Sequence, residues 1–443
     1  MNKIVIIGGG FAGCAAAVSA RKAGARVVLL EKTDLLLGLG NVGGIMRNNG
    51  RYTATEENIA MGARELFEIT DRYSLHKNVD FPGHRHASFF DIVEVEPKVR
   101  QLLDDMGVEV RLMNRAVDVR TEKIMAKNVE IPIESTNDDL TRIVSLVLAD
   151  GSEVQGDAFV ETTGSAGPMG GCAEHGRGCS MCVLRCPAFG PRVSISQKAG
   201  RPDLSGKRRS GQLGAFSGSC KLEMSSLAEE LQAELSGKGF AVVPLPPEKI
   251  VREKLEMKVC QQYALDEYAE NIVLIDTGHA KLMSPYFPLE VLRTVPGFEK
   301  ARYIDPYAGG KANSVRYLSV AERDNNMRVR GFANLFCGGE KSGLFVGHTE
   351  AISTGSLAGN NAVRYLEKEK LLELPRETSI GDLIAYGNEQ IQRDKGLRNR
   401  YTFAGDEFFE RMKAKDMYTT DRDVIRKRIE KMGLSGIYDR KII

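Results

Sequence analysis

Residues 3–31 read Lys3-Ile4-Val5-Ile6-Ile7-Gly8-Gly9-Gly10-Phe11-Ala12-Gly13-Cys14-Ala15-Ala16-Ala17-Val18-Ser19-Ala20-Arg21-Lys22-Ala23-Gly24-Ala25-Arg26-Val27-Val28-Leu29-Leu30-Glu31, and the expected fold grows from them. Four consecutive β-branched residues predict a short buried strand, three glycines a turn, and the small-residue run 11–20 a helix lying tight on a sheet. Residues 26–30 predict a second strand, closed by Glu31 and Lys32, which completes a βαβ unit. The glycines of Gly8-x-Gly10-x-x-Gly13 serve three different needs, namely a tight turn, a backbone bare enough for a pyrophosphate to approach, and close helix packing. The helix N-terminus then holds the diphosphate, and Glu31 stands where an acidic side chain accepts ribose hydroxyls. A dinucleotide, NAD or FAD, is the expected cofactor.

The rest of the chain is compatible with a folded enzyme. Its 443 residues allow two to four domains at roughly 100–200 residues each. A net charge of +2, with 61 basic and 59 acidic side chains, excludes a global field for nucleic acid or anionic membrane. The lysine and apolar run at the start look like a secretory leader in outline, but the glycines break the run. No stretch approaches the ~20 apolar residues of a membrane span, so no membrane partner and a cytoplasmic location are expected. In that compartment cysteines serve as ligands or nucleophiles more often than as disulfides.

Further elements follow from local patterns. Residues 56–74 predict a helix, 76–90 an irregular stretch carrying His76, His84 and His86, and 98–106 a helix started by Pro97. Strands are expected at 108–112, 116–120, 143–148, 153–155 and 158–160, with Asp150-Gly151 as a hairpin turn. Helical patterns recur at 225–236 and 247–267, a strand at 272–275, a short helix at 288–294, a strand at 334–337 and a small-residue helix at 349–366. The expected division is a discontinuous cofactor domain, 1–165 with 300–366, a cysteine-loop and substrate domain, 166–299, and a helical tail, 367–443.

Two later segments bear on the choice of cofactor. Val160-Glu161-Thr162-Thr163-Gly164 resembles the second chain crossing near the diphosphate in glutathione-reductase-type flavoproteins, and Leu335-Phe336-Cys337-Gly338-Gly339-Glu340 the late segment where an acidic residue meets the ribityl chain. That residue is Glu340 here, where Asp is usual. The helix beginning at Thr349 would direct its positive end toward the flavin ring. Three separated stretches around one nucleotide point to FAD rather than NAD. The expected fold is therefore α/β: a Rossmann-like FAD-binding domain of glutathione-reductase type, an inserted α+β domain and a helical C-terminal tail. Thr163, Gly164, Gly339, Glu340 and Thr349 join the expected cofactor residues, with Lys32 beside Glu31 and Val117 on the strand 116–120.

Half of the eight cysteines fall in Cys172-x6-Cys179-x2-Cys182-x3-Cys186-Pro187. The C-x2-C-x3-C-P half matches bacterial ferredoxin loops, where short turns aim successive thiolates at one cubane. A 4Fe-4S cluster is expected, zinc is the alternative, and thiols without metal are a third reading. Cys14, Cys260 and Cys337 read as structural. Cys220 lies beside Lys221, a neighbour that favours thiolate, so it is a candidate nucleophile.

Residues 289–299, LEVLRTVPGFE, and 334–364, NLFCGGEKSGLFVGHTEAISTGSLAGNNAVR, together with Gly8–Gly13, resemble the glucose-inhibited division protein A family and the related folate- and FAD-dependent tRNA uridine methyltransferases. The resemblance implies non-covalent FAD and chemistry on a tRNA uridine. Where those proteins have a cysteine before an Asn-Pro-Ala-Ile-Gly-Gly loop, this chain has Gly40-Asn41-Val42-Gly43-Gly44-Ile45 and no thiol. Gly43 and Gly44 match the loop's glycines. Cys220, in Phe-Ser-Gly-Ser-Cys-Lys-Leu-Glu, is similar to the second family cysteine, and the 172–186 cysteine loop has no counterpart.

Three functions are compatible with these features. The first is an FAD-dependent oxidoreductase acting on a small molecule or an electron-carrier protein, its cluster relaying electrons to or from the flavin, with His348 and Glu350 facing the ring. The second is an RNA uridine-modifying enzyme with Cys220 as nucleophile and tRNA as partner, its grip drawn from the basic runs 207–209, 393–400 and 426–428. The third is a flavin-bound redox sensor or scaffold. Homo-oligomerisation is expected.

Overall fold

The computed structural model describes residues 2–125, 139–165, 186–217, 220–285, 287–304 and 314–443. Its centre is the expected parallel sheet, in the order Leu335–Cys337, Ala158–Glu161, Lys3–Ile7, Arg26–Leu30 and Glu109–Arg111. Register brings Ile7 beside both Leu30 and Glu161, and Glu161 beside Cys337, so the glycine turns after three strands leave the same edge of the sheet.

The alternation of side chains divides the core. Ile4, Ile6, Val27, Leu29, Val160 and Phe336 enter one hydrophobic layer with the helices, whereas Val5, Ile7, Val28, Leu30, Phe159 and Leu335 enter another. That second layer lies under an antiparallel meander of Ala116–Met125, Asp139–Leu148 and Glu153–Gln155, which contributes Ile143, Leu146, Leu148 and Val154. At roughly 25 cal/mol per Å² of apolar surface, each large side chain here contributes about 2 kcal/mol.

The helices Phe11–Lys22 and His348–Leu366 meet through small residues. A Cβ on Gly355 would lie 2.1 Å from the Ala12 carbonyl oxygen, and one on Gly359 2.3 Å from that of Ala16. Only glycine permits this approach, which fixes the late helix against the dinucleotide helix. The C-terminal helices Ser379–Ile391, Asp406–Ala414 and Arg422–Lys431 add Ile380, Phe408, Met412 and Ile429 to the same layer. The chain end returns to the first βαβ unit, where the amides of Ile442 and Ile443 both donate to the Ala23 carbonyl at 2.9 Å.

A four-stranded antiparallel sheet of Lys221–Leu222, Ala280–Leu282, Asn271–Asp276 and Phe240–Pro244 carries the inserted region. It packs against a second small sheet, Ile45–Met46, His84–Phe90 and Ser74–Phe81, through Phe81, Phe89, Tyr268, Val273 and Ile275.

Four local expectations are corrected. Residues 76–90 are a β-hairpin, not an irregular stretch; three register shifts and a polar exposed face hide its alternation. The helix expected over 56–74 is two, Gly50–Ala60 and Glu65–Arg72, separated at Gly62, whose φ is +98°. The helix Ile92–Asp105 starts well before Pro97, because the Asp91 carboxylate caps the amides of Val93 and Glu94 at 2.9 and 3.3 Å. Residues 247–267 form short turns rather than one helix, since the buried amine of Lys258 draws the carbonyls of Tyr263 and Met283 around itself at 3.1 and 2.6 Å. Among the described residues no helix is long and apolar enough to cross a membrane.

Candidate cofactor and active site

Gly8 has φ +102°, and a Cβ there would lie 2.5 Å from the Thr162 carbonyl oxygen; a Cβ on Gly13 would lie 1.9 Å from the Gly8 carbonyl oxygen. Both positions are closed to any side chain by the chain's own backbone. Gly10 differs, since a Cβ there would meet only the Leu37 carbonyl oxygen, at 4.0 Å. The protein therefore leaves open the one glycine where a diphosphate must approach. No side chain caps the helix that starts after Gly10, so its first amides face that space.

Glu31 is buried and oriented: one carboxylate oxygen accepts from the Gly9 amide at 2.7 Å, the other from the Thr33 amide and hydroxyl at 2.8 and 2.9 Å. Lys32 turns to the Gly190 carbonyl at 3.1 Å. Val117 is half-buried on the meander, a short distance along the chain from Asn114, whose amide donates to the Glu31 carbonyl at 2.9 Å.

The neighbouring crossing lies where expected. The Thr162 hydroxyl donates to the Gly8 carbonyl at 2.7 Å, Thr163 donates to Glu161, and Gly164, at φ +75°, has nothing within 4 Å of a built Cβ. Glu340 accepts from Ser165 at 2.6 Å and from Arg316 at 3.1 Å, so its carboxylate is held by protein donors. Beside it the buried Lys341 amine bridges Asp203 at 2.6 Å and Glu161 at 3.4 Å. Gly339, at φ +66°, is packed on Ala12.

The open glycine, the uncapped helix, the oriented Glu31 and the clear Gly164 fit an FAD chain laid along this edge, with its diphosphate at Gly8–Gly13.

At the other end, the helix His348–Leu366 begins after Gly347 and also lacks a side-chain cap. His348 is enclosed by Phe11, at 5.0 Å between ring centroids, by Phe90 at 6.0 Å, and by Gly43. Burial, helped by the charges of Arg51 and Lys281, pulls its pKa down to about 3, so the imidazole is neutral. Gly44, at φ +76°, packs on Thr277. Thr349 is buried, its hydroxyl 3.9 Å from the Met46 sulfur.

Glu350 is buried and taken up by protein donors. It takes both oxygens to Arg51 Nε at 3.1 Å and one to the Thr402 hydroxyl and Phe403 amide, at 2.7 and 2.9 Å.

Three basic residues were not singled out by the sequence. Arg51 sits on a helix whose polar residues are mostly buried. Lys281 donates to the Gly43 carbonyl, and burial lowers its pKa to about 7. Lys258 is lowered to about 8 for the same reason. Arg51 and Lys281 have no local signal, because Glu350 and Gly43 come from distant parts of the chain, and Lys258 is hidden in a stretch whose apolar spacing imitates a helix.

Cys220 is separate from His348 in its contacts. It packs at the margin of the inserted sheet's core, burial pushes its thiol up to about 12, and the neighbouring Lys221 sends its amine to the Asn41 carbonyl at 3.0 Å. Cys186 begins the short helix Cys186–Phe189, whereas Cys172, Cys179 and Cys182 lie outside the described residues. Among the described residues no group of three or more His, Cys, Asp or Glu side chains is placed to hold a metal.

Comparison with known proteins agrees with this geometry. The sequence model of the family described as glucose inhibited division protein A matches residues 3–273 and 270–370. A curated relative from Thermosipho melanesiensis, the methylenetetrahydrofolate–tRNA-(uracil-5-)-methyltransferase TrmFO, is 33% identical over 118 residues, 26% of this chain and 25% of its own length. The tRNA uridine 5-carboxymethylaminomethyl modification enzyme MnmG of Karelsulcia muelleri is 30% identical over 146 residues, 32% of this chain and 23% of its own. The alignments thus span about a quarter of each relative. The solved structure of Aquifex aeolicus GidA superposes with a TM-score of 0.61 at 15% identity, covering 97% of this chain and 76% of that one, which establishes the shared fold. The family match over most of the chain and the FAD-shaped edge of the sheet lead to one conclusion: this chain belongs to the glucose-inhibited division protein A family of flavoproteins.

Proposed function

We propose that the chain is an FAD-dependent enzyme that modifies carbon 5 of a uridine in tRNA. One observation carries the reading: two groups of curated relatives, named for different reactions, both act by name on the 5-position of tRNA uridine, and both align with this chain. The site supports it with a cofactor edge, a neutral imidazole and a buried amine gathered at the start of one helix. FAD, when bound, supplies two-electron chemistry to a substrate.

The chain's own residues prepare the space. Gly8, Gly10, Gly13 and Glu31 hold the dinucleotide. The N-terminus of the helix His348–Leu366 stabilises negative charge developing before it. Phe11, Phe90 and His348 exclude water, and Lys281 fixes the loop carbonyl of Gly43. Cys220, with its thiol pushed to about 12, needs a change of surroundings before it can attack as thiolate.

The test is binding. Protein purified with its flavin should retain an FAD spectrum and bind tRNA with an affinity that falls as salt rises. A protein that keeps FAD and ignores tRNA at low salt returns the assignment to a small-molecule oxidoreductase.

A second reading rests on the spacing Cys172-x6-Cys179-x2-Cys182-x3-Cys186-Pro187, which the tRNA reading leaves without a use. Four thiolates in that array suit a 4Fe-4S cluster passing single electrons to the flavin. Anaerobic protein holding about four irons and four sulfides per chain supports it; zinc, or no metal, removes it.

A further inference from the structure

A cavity of about 770 Å³ opens to solvent between the hairpin Ser74–Phe81/His84–Phe90 and the C-terminal helix Asp406–Ala414. None of the residues argued above to hold FAD lines it. Its size is that of a small-ligand site, and its walls combine flat rings with cations. Phe409 and Tyr418 stand edge to face, with centroids 5.1 Å apart, and Phe81 stacks on His84 at 4.9 Å. Phe240 adds a further ring to the lining.

Two exposed cations flank the rings. The amine of Lys413 lies 4.9 Å over the Phe409 ring and shares an exposed ion pair with Glu410. The guanidinium of Arg85 meets no carboxylate among the described residues, and its charge reaches the Tyr418 phenol. Asp80 is the one acid among the described residues lining the cavity; one of its oxygens accepts from the His86 amide at 3.0 Å, and its charge also reaches the Tyr418 phenol.

The floor is joined to the cofactor end. His84 is neutral, its pKa brought down to about 3 by burial and then by Arg51. Its Nδ1 accepts from the Asn48 side-chain amide at 3.0 Å, and its Nε2–H donates to the Gln262 carbonyl at 3.1 Å. Asn48 in turn accepts from Arg51 at 3.0 Å, and Arg51 holds Glu350, on the first turn of the helix that His348 begins. A ligand here is thus tied through one hydrogen-bonded chain to the start of the helix that faces the cofactor.

We propose that this cavity seats an unstacked nucleotide of a single-stranded RNA segment, its base against Phe409 and Tyr418 and its phosphate between Arg85 and Lys413. The inference rests on the tRNA reading above and adds a second point of attachment, distinct from the reacting uridine. Aromatic faces accept any base, neighbouring cations take the backbone, and stacked duplex bases have no access to such rings. An apolar peptide would leave both cations without a role.

The chain contains no tryptophan, so Phe409→Trp places a single indole reporter in the cavity. A fluorescein-labelled oligouridylate is titrated by anisotropy at about 50 mM salt. It should bind the wild type and quench the indole of the Phe409→Trp protein. Arg85→Glu and Lys413→Glu should each weaken binding about tenfold, while Arg120→Glu, an exposed arginine of the meander, should not, and a blunt RNA duplex should compete poorly. Binding without quenching, wild-type affinity in both cavity variants, or equal competition by duplex overturns the site and leaves the tRNA reading standing. If neither the oligouridylate nor intact tRNA binds any of the proteins, the tRNA reading falls and takes this site with it.

Discussion

The imidazole of His348 fills the volume that a side chain on residue 43 would need: a Cβ built on Gly43 would lie 1.7 Å from His348 Nε2. Lys281 holds the Gly43 carbonyl. The backbone at residue 43 is therefore clamped between a ring from the late helix and an amine from the inserted sheet. Gly43→Ala should displace the ring and lower stability by about 1–3 kcal/mol, with loss of bound FAD. His348→Ala should restore much of that stability in the double variant, because the clash disappears. A urea-unfolding double-mutant cycle reads the coupling; additive losses would contradict the clamp.

Gly10 and Gly13 make opposite predictions from one motif. Gly13→Ala drives a methyl into the Gly8 carbonyl and should prevent folding of the domain, seen as loss of a cooperative melt. At Gly10 the methyl enters open space in the free protein. Gly10→Ala should keep the apo-protein's Tm and cut FAD affinity by about tenfold or more in a fluorescence titration. Equal FAD affinity would mean that the diphosphate lies elsewhere.

Arg51 and Glu350 form a buried pair that also receives the Thr402 hydroxyl and the Phe403 amide. Glu350→Gln keeps the shape but leaves a buried guanidinium uncompensated, so a loss of about 3–5 kcal/mol is expected in chemical denaturation. Hydrogen exchange at the Phe403 amide should accelerate in parallel. An unchanged midpoint would show that the pair is not what pins residues 400–404.

Lys281 gives a pH signature. Its pKa falls from the ordinary 10.5 to about 7 in the folded chain, chiefly through burial. Between those values the unfolded chain binds a proton that the folded chain does not, so stability rises with pH across the window and the buried-charge penalty is complete below it. Lys281→Met should raise Tm relative to the wild type by more at about pH 6 than at about pH 9. A difference independent of pH would place a protonated amine at both values, as in the unfolded chain, and would contradict the lowered pKa.

What could be read from the sequence follows the range of the interactions. Gly8, Gly10, Gly13 and Glu31 were legible because turn, helix and strand constrain one another within a single βαβ unit. The strands Leu335–Cys337 and Ala158–Glu161 were marked by their glycine exits, while their parallel order beside it is seen only in the structure. Arg51 and Glu350 are 299 residues apart and Lys281 and Gly43 238, so no periodicity announces either pair. The hairpin at 74–90 was hidden for another reason: its bulges shift the register three times, so its sequence has lost the two-residue repeat that marks a strand. The broken turns over 247–267 imitate a helix in apolar spacing, and only the buried Lys258 shows why the backbone wraps instead.

The proposed modification of a tRNA uridine at carbon 5 can be tested in the tRNA itself. The measurement is mass spectrometry of the nucleosides digested from tRNA of cells with and without this chain, and of the deleted cells again carrying either the wild type or Gly10→Ala. One 5-substituted uridine should disappear on deletion, return with the wild type and stay absent with Gly10→Ala. Identical uridine nucleosides in all four samples would contradict the assignment.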